Sequence, residues 1–282
     1  MIMSLMHYNF HSQYLNNSHT ISVILPDKKW EMSPRDFYLS DKKYKVLWLL
    51  HGTFGDHTDW IRKTNIELYA TEKDLIVVMP SALNSNYSNW DNAMMGFSMY
   101  DYLTEELMPL IYGWLPASDK REDNFIAGLS MGGRGTIKYA VNHPDKFAAA
   151  AVLSAVTFDC SLMRPGHEFP LMDTEDPRIK KVLDNAGGLE AYLQSPENVW
   201  RIIDEMAASG QLDQLPRIMM ACGEDDSLIY ENYLTFRQHC EDIGLEAEWF
   251  HLPGYKHEWP FWDLAIQRAI EFFGILYLSD NY

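Results

Sequence analysis

Short apolar runs alternate with polar or amphipathic stretches along most of the chain. Alternating strands and helices are typical of a parallel sheet with right-handed helical crossovers. Two earlier runs, 4–10 and 19–25, predict an antiparallel strand pair at one edge of that sheet. The later predicted strands are 46–50, 75–79, 125–129, 148–153, 218–222 and 247–251.

One amphipathic helix is predicted within residues 99–112. Leu103, Leu107 and Leu110 fall on one face of it, because they are spaced by four and then three residues. Pro109 lies inside this pattern. A proline lacks the backbone N–H that a helix interior uses, so we expect it to kink or shorten the helix.

The alternation of strands and helices stops after Ser154. Residues 160–215 contain no clean strand, and prolines, paired glycines and acidic residues divide them into short helical pieces. The pattern predicts one α/β domain spanning residues 1–282, with 160–215 as a small cap-like insertion. A chain of this length is long enough to bury a large core in one domain.

The pattern Gly-x-Ser-x-Gly is centred on Ser130, between the predicted strand 125–129 and the helix-compatible residues 136–142. A strand–turn–helix of this kind is the context that a nucleophile elbow requires. Only small residues, here Gly128 and Gly132, fit two positions either side of the serine. The alternative is a glycine-rich turn that binds a phosphate or nothing.

A serine nucleophile needs a base, and the base needs an orienting acid. In this architecture the chain order is serine, acid, histidine. Glu224, Asp225 and Asp226 follow the predicted strand 218–222 and compete for the role of acid. His257 follows the last predicted strand and is the candidate base.

An oxyanion hole is predicted from two backbone N–H groups. The loop His51-Gly52-Thr53-Phe54-Gly55 follows an early buried strand and supplies one donor, at Thr53. The second donor is Met131, which follows the serine. His51 is a weaker candidate for the base, because its place before a glycine suits a role in shaping the loop.

Several motifs of this chain occur together in one family. They are Leu50-His51-Gly52-x-x-Gly55 with Trp60 downstream, Gly128-Leu129-Ser130-Met131-Gly132-Gly133, Asn142-His143-Pro144-Asp145, Cys222-Gly223-x-x-Asp226 and His257-Glu258-Trp259. Over about residues 46–273 the chain resembles the putative-esterase branch of the α/β-hydrolases, which includes esterase D, and residues 100–107 resemble the bacterial tributyrin esterases. The resemblance implies an α/β-hydrolase fold and a cofactor-free serine carboxylesterase with Ser130 as nucleophile, Asp226 as acid and His257 as base.

The chain departs from two members of that branch. S-formylglutathione hydrolases usually carry a cysteine in the loop after the His-Gly pair and a histidine after Ser-Met-Gly-Gly, where this chain has Phe54, Gly55 and Arg134. Mycolyltransferases have alanine in place of Gly132. A feruloyl or cinnamoyl esterase and an S-formylglutathione hydrolase-like thioesterase remain alternatives. In another class, the alternative is a binding protein that keeps the fold without the activity.

The acidic composition favours some partners over others. A net charge of −17 disfavours nucleic acid and anionic membranes, which need a basic footprint.

No segment approaches the roughly 18 apolar residues of a membrane helix, and residues 1–17 lack the basic start of a signal peptide. Three scattered cysteines favour a reducing cytoplasm. No metal-ligand or dinucleotide motif is present, so neither metal nor cofactor is expected.

Aromatic residues near the predicted active face favour a compact acyl group. Phe54, Trp60, Trp90 and Trp259 follow strand ends and are candidate pocket residues, with core packing as the alternative for the tryptophans. Together with the acidic net charge they predict hydrolysis of small-molecule neutral esters with short-chain or compact aromatic acyl groups. Whether the chain forms a homo-oligomer is left open.

Overall fold

Eight strands join one sheet in a computed structural model that describes residues 3–155 and 157–275. The ends of the predicted domain 1–282 therefore lie outside the described residues. The ten described strands are β1 (Met3–Ser12), β2 (Asn17–Pro26), β3 (Val46–Leu50), β4 (Ile76–Pro80), β5 (Asn89–Trp90), β6 (Phe97–Ser98), β7 (Asn124–Leu129), β8 (Ala149–Leu153), β9 (Arg217–Gly223) and β10 (Ala247–Leu252). Their order across the sheet is β1-β2-β4-β3-β7-β8-β9-β10, while β5 and β6 form a separate ribbon.

The sheet is mostly parallel. β1 pairs with β2 and β2 pairs with β4 in antiparallel fashion, and the other five pairs of the eight-stranded sheet are parallel. Every predicted strand is present, including the antiparallel pair at the edge. Because parallel strands end at the same side of a sheet, the loops after β3, β7, β9 and β10 come together there.

Helices cover both faces of the sheet. They are α1 (Pro34–Tyr38), α2 (Asp59–Lys63), α3 (Ile66–Thr71), α4 (Met99–Asp101), α5 (Met108–Trp114), α6 (Met131–Asn142), α7 (Pro177–Ala186), α8 (Leu189–Gln194), α9 (Val199–Ala208), α10 (Tyr230–Ile243) and α11 (Trp259–Phe272). A π-helical stretch, Tyr102–Leu107, joins α4 to α5. Pro109 lies just after this stretch, and the helix continues past it to Trp114, so the predicted shortening does not occur.

The side chains of β3 alternate between two apolar clusters, one on each face of the sheet. Val46, Trp48 and Leu50 pack with the residues of the helix at 99–111, whereas Leu47 and Leu49 pack with residues of α11. All five are fully buried. A strand that is covered on both faces is apolar throughout, as its sequence is. Each such side chain contributes about 1.5–3 kcal/mol to folding.

Residues 160–215 differ from the sheet. They contain α7, α8, α9 and short 3₁₀ turns, and no strand is described among them. Part of this segment has an apolar cluster of its own. The buried members of that cluster are Cys160, Met163, Met172, Ile179, Leu183 and Tyr192. We refer to residues 160–215 as the insertion.

Candidate active site

Ser130 lies in a strained turn between β7 and α6. Its backbone angles are φ 52° and ψ −117°, and a residue other than glycine adopts such angles at a cost of about 1–3 kcal/mol. The Ser130 N–H donates to the Leu153 carbonyl at 2.8 Å and holds the turn against β8. A Cβ at Gly132 would lie 2.5 Å from the Leu50 carbonyl oxygen, so a glycine is required there.

His257 and Asp226 complete a chain of hydrogen bonds with this serine. His257 Nδ1 lies 2.7 Å from Asp226 Oδ2, and His257 Nε2 lies 3.0 Å from Ser130 Oγ. Because an ionised carboxylate only accepts hydrogen bonds, Nδ1 carries the proton and the Nε2 lone pair faces the hydroxyl. The imidazole also packs edge-on against Trp262, with ring centroids 5.0 Å apart.

The three neighbouring carboxylates after β9 have different surroundings. Asp226 is 1% exposed and also accepts the Leu228 N–H. Glu224 instead contacts a different histidine, His251, at 2.7 Å, and Asp225 is exposed. Of the three candidate acids, only Asp226 is hydrogen-bonded to His257.

The loop after β3 places Thr53 in the lining of the same cavity as Ser130. The Phe54 N–H donates to Asn84 Oδ1 at 2.8 Å and the Gly55 N–H donates to the Gly52 carbonyl. Among the described residues, the Thr53 N–H has no hydrogen-bond acceptor. Met131 is the first residue of α6, so its N–H has no acceptor within the helix.

His51 holds this loop in shape. Its Nδ1 lies 2.6 Å from the Gly52 carbonyl oxygen, and its Nε2 accepts the Ala82 N–H at 2.7 Å. Burial lowers the pKa of His51, and a neutral ring is what an accepting Nε2 requires. The Tyr87 hydroxyl donates to the His51 carbonyl at 3.0 Å. Both nitrogens of His51 are thus occupied by backbone groups, and neither faces Ser130.

Neither a metal site nor a membrane span is found in the described part of the chain. Residues 3–155 and 157–275 contain no group of three or more His, Cys, Asp or Glu that could hold a metal ion. No described helix is long and apolar enough to cross a membrane.

Comparison with known proteins supports the predicted resemblance. The family described as putative esterase matches residues 12–236. The chain belongs to this esterase family. It is 27% identical over 273 residues to a protein of Caldicellulosiruptor saccharolyticus named acetyl esterase, covering 95% of this chain and 97% of the relative.

Two solved structures from Staphylococcus aureus are similar to this esterase. One is the substrate-bound fluorophosphonate-binding serine hydrolase FphF, at 33% identity and a TM-score of 0.77, covering 96% of this chain and 98% of that one. The other is the S-formylglutathione hydrolase FrmB, at 34% identity and a TM-score of 0.78, covering 97% of this chain and 99% of that one. These similarities confirm the predicted α/β-hydrolase fold, and the chain is a serine carboxylic ester hydrolase acting on small-molecule esters.

A cavity of about 540 Å³ opens at Ser130 in this esterase. Its walls come from the loop after β3, the loop after β4, the start of α6, and the insertion. The lining residues are Thr53, Phe54, Asn84, Asn86, Trp90, Ser130, Met131, Arg134, Ser154, Met163, Phe169, Pro170, Leu171, Arg178, Ile179, Lys181, Val182, Tyr192, Leu228 and Ile229.

The four aromatic pocket candidates fall into two pairs. Phe54 and Trp90 line the cavity. Trp60 and Trp259 do not. The indole N–H of Trp60 donates to the Leu50 carbonyl at 3.1 Å, which turns the ring into the core, and Trp259 packs edge-on against it with centroids 5.4 Å apart. Trp60 and Trp259 therefore fit the alternative of core packing.

Three residues near the site are missing from the sequence-based candidates. Arg134 lines the cavity from α6, and Tyr192 lines it from the insertion. Lys138, one turn beyond Arg134, is buried and joins Glu197 of the insertion at 2.8 Å. The spacing of Ser130, Arg134 and Lys138 at four-residue intervals places them along one face of α6, and that signal was available in the sequence.

Proposed function

We propose that Ser130 is the nucleophile, His257 the general base and Asp226 the orienting acid of this esterase. One observation carries the proposal: His257 bridges the other two side chains, at 3.0 and 2.7 Å, beside an open cavity. Ser130 Oγ attacks the ester carbonyl while His257 Nε2 takes its proton. The imidazolium then protonates the leaving alcohol, and water repeats the cycle on the acyl-enzyme.

The proposal places the oxyanion of the tetrahedral intermediate between the N–H groups of Thr53 and Met131. Two features support it. The Thr53 amide has no acceptor among the described residues, and the Met131 amide is at the N-terminus of α6, where the helix dipole favours negative charge. A donor of this kind is worth roughly 3–4 kcal/mol in the transition state.

The proposed substrates have short-chain or compact aromatic acyl groups. The name acetyl esterase of one relative and the half-buried Trp90 in the cavity wall support this size. The proposal also makes the insertion a cap, since its residues line the cavity opposite Ser130. A cytoplasmic location belongs to the same proposal and is supported by three buried, unpaired cysteines.

A thioester substrate is the second candidate. The S. aureus relative named S-formylglutathione hydrolase favours it. The departures at Phe54 and Arg134 from the usual sequence of those hydrolases weigh against it.

A substrate panel tests the proposal. We expect kcat/KM to be highest for p-nitrophenyl acetate or butyrate and to fall for octanoate and palmitate. Each methylene that does not fit a filled pocket changes selectivity by about 1–3 kcal/mol, so the profile is sharp. Methyl ferulate and S-formylglutathione complete the panel. A maximum at octanoate or longer would contradict the proposed size, and a large excess for S-formylglutathione would favour the second candidate.

A further inference from the structure

The cavity and the whole chain carry opposite charge. The chain has a net charge of −17, yet the cavity is lined by Arg134, Arg178 and Lys181 and by no described aspartate or glutamate. A cleft with one sign of charge concentrates ligands of the other sign. The net charge of the chain is thus a poor guide to the charge of the group that this cavity accepts.

Two of the three cations have no acidic partner. Arg178 forms a salt bridge with Asp176 at 3.0 Å, which offsets its charge. No described carboxylate lies within 4.0 Å of the side-chain nitrogens of Arg134 or Lys181. Lys181 is exposed, whereas Arg134 is half-buried. A partly desolvated guanidinium without a counter-charge favours an anionic ligand.

Arg134 is also close to the reacting centre. Its backbone N–H donates to the Ser130 carbonyl at 3.0 Å, so the two residues are one helical turn apart. Side chains on a helix lean toward its N-terminus, which directs the Arg134 side chain back toward Ser130. Tyr192, a residue of the insertion, lines the cavity together with Arg134.

A small second cavity lies on the other side of Arg134. It measures about 30 Å³ and shares Asn86, Arg134 and Tyr192 with the large cavity. Thr157 Oγ1 lines it and is buried without a hydrogen-bond partner among the described residues. A buried hydroxyl left unpaired opposes folding, because it has lost its water without gaining another partner. The volume suits one water, which would pair that hydroxyl. Glu197 also lines this small cavity, so a substrate carboxylate would bind Arg134 from the large cavity.

We propose that Arg134, assisted by Lys181, forms a subsite for a carboxylate group of the substrate. The inference rests on the proposed esterase site and adds the charge of the group that is bound beside it. The guanidinium offers paired N–H donors to the two carboxylate oxygens. Because Arg134 is one turn from Ser130, the carboxylate is separated from the reacting carbonyl by a few bonds. It belongs to either the acyl or the alcohol part of the ester.

Matched pairs of esters test this subsite. On the acyl side, p-nitrophenyl hemisuccinate is compared with p-nitrophenyl succinamate, in which an amide replaces the carboxylate. On the alcohol side, the butyryl ester of glycolate is compared with that of glycolamide. In one of these pairs we expect kcat/KM of the carboxylate ester to exceed that of the amide ester about 10-fold or more. The pair that responds identifies which part of the substrate is recognised.

Variants that remove a positive charge show which residues cause the preference for the carboxylate ester. Arg134→Gln should lower the carboxylate-to-amide ratio by about 10- to 100-fold, and Arg134→Lys should lower it less because the charge remains. Lys181→Gln should lower it by about 2- to 5-fold through loss of a more distant charge. Lys180→Gln is the matched control: this neighbour is exposed and outside the cavity lining, so the ratio should not change.

The outcomes separate the subsite from the catalytic proposal. Ratios near one in both ester pairs, with p-nitrophenyl butyrate still hydrolysed and a fluorophosphonate still bound, would overturn the subsite and leave the esterase mechanism standing. The subsite would also be overturned if Lys180→Gln lowers the carboxylate-to-amide ratio as much as Lys181→Gln does. If Arg134→Gln fails to fold, the comparison of Lys181→Gln with Lys180→Gln decides whether the subsite stands. Loss of all turnover and labelling in the wild type would overturn both proposals.

Discussion

The loops at the ends of the sheet strands and the insertion both line the cavity, but different contacts hold them in place. Ser130 and Asp226 follow buried strands, and backbone bonds such as Ser130 N–H to Leu153 fix the first of them. The insertion holds no described strand and packs partly on a small cluster of its own. Ser130 and Asp226 are thus held at the ends of sheet strands, whereas the wall from the insertion is held in part by side-chain contacts such as the Lys138–Glu197 salt bridge.

This difference divides the expected consequences of substitution. Changes at the strand ends should act on the chemical step and leave substrate binding nearly intact. Changes in the insertion should act on binding and selectivity. The following variants challenge that division, starting with the largest effect.

Ser130→Ala should reduce kcat by roughly 10⁶-fold, because no other group supplies the nucleophile. Residual catalysis would come from the oxyanion donors alone. The measurements are p-nitrophenyl butyrate turnover and covalent labelling by a fluorophosphonate, with circular dichroism to verify the fold. Ser227→Ala, an exposed serine beside Asp226, is the control and should still be labelled. A labelled Ser130→Ala protein would place the nucleophile elsewhere.

Asp226→Asn should reduce kcat by about 10⁴-fold, since the amide favours the wrong imidazole tautomer. Glu224→Gln is the matched control, because Glu224 binds His251 and not His257. Its effect on kcat should stay within about 10-fold. Steady-state kinetics of the two variants tests this prediction. A larger loss of kcat in Glu224→Gln would identify Glu224 as the acid.

A pair of leucine-to-alanine variants compares the two regions directly. Leu49→Ala removes a fully buried side chain from β3 and should cost about 2–5 kcal/mol in the free energy of unfolding. Leu183→Ala makes the same change in the cluster of the insertion. We expect a smaller loss in global stability but a higher KM, because the insertion can loosen while the sheet stays folded. Urea denaturation and KM measurements test both. Equal stability losses with an unchanged KM in Leu183→Ala would refute the division.

The free energy of unfolding should fall at acidic pH because of His19. Burial, followed by repulsion from His57 and His51, lowers the pKa of His19 from 6.5 to about 4. Between these values the unfolded chain binds a proton that the folded chain does not, so stability falls as the pH drops from 6.5 toward 4. At pH 5 the loss is about 2 kcal/mol.

The variant His19→Phe isolates that loss. Phenylalanine keeps the aromatic contacts with Phe10 and Tyr102 but cannot titrate. We expect the stability difference between pH 7 and pH 5, measured by urea denaturation, to shrink by about 2 kcal/mol in the variant. An unchanged pH dependence would mean that other groups carry it.

Much of the sheet and the candidate site was predictable because the responsible signals are local. Short apolar runs marked each strand, and a glycine on either side of Ser130 marked the sharp turn. The chain order of serine, acid and histidine then indicated which strand ends meet. Among the three adjacent carboxylates, the spacing of the Cys222-Gly223-x-x-Asp226 motif favours Asp226, and the structure adds that only Asp226 of the three is hydrogen-bonded to His257.

The rest depends on contacts between distant residues. Trp60 follows a loop at the active face, yet its indole N–H turns inward to Leu50. Arg134 faces a cavity whose other wall is formed by Tyr192, more than fifty positions later. The π-helical stretch before Pro109 depends on packing that periodicity alone does not encode. Such pairings arise only when the chain is folded.

The edge-on contact between Trp262 and His257 gives the enzyme an optical reporter of its own. An imidazolium quenches the fluorescence of a neighbouring indole more strongly than neutral imidazole does. If His257 takes the proton of Ser130 as proposed, the emission of Trp262 should fall. The indole N–H of Trp262 is fixed to Ser154 at 3.1 Å, so the ring keeps a constant distance from the imidazole. Because the chain contains nine tryptophans, the signal from this contact is the part of a stopped-flow fluorescence change that Trp262→Phe removes.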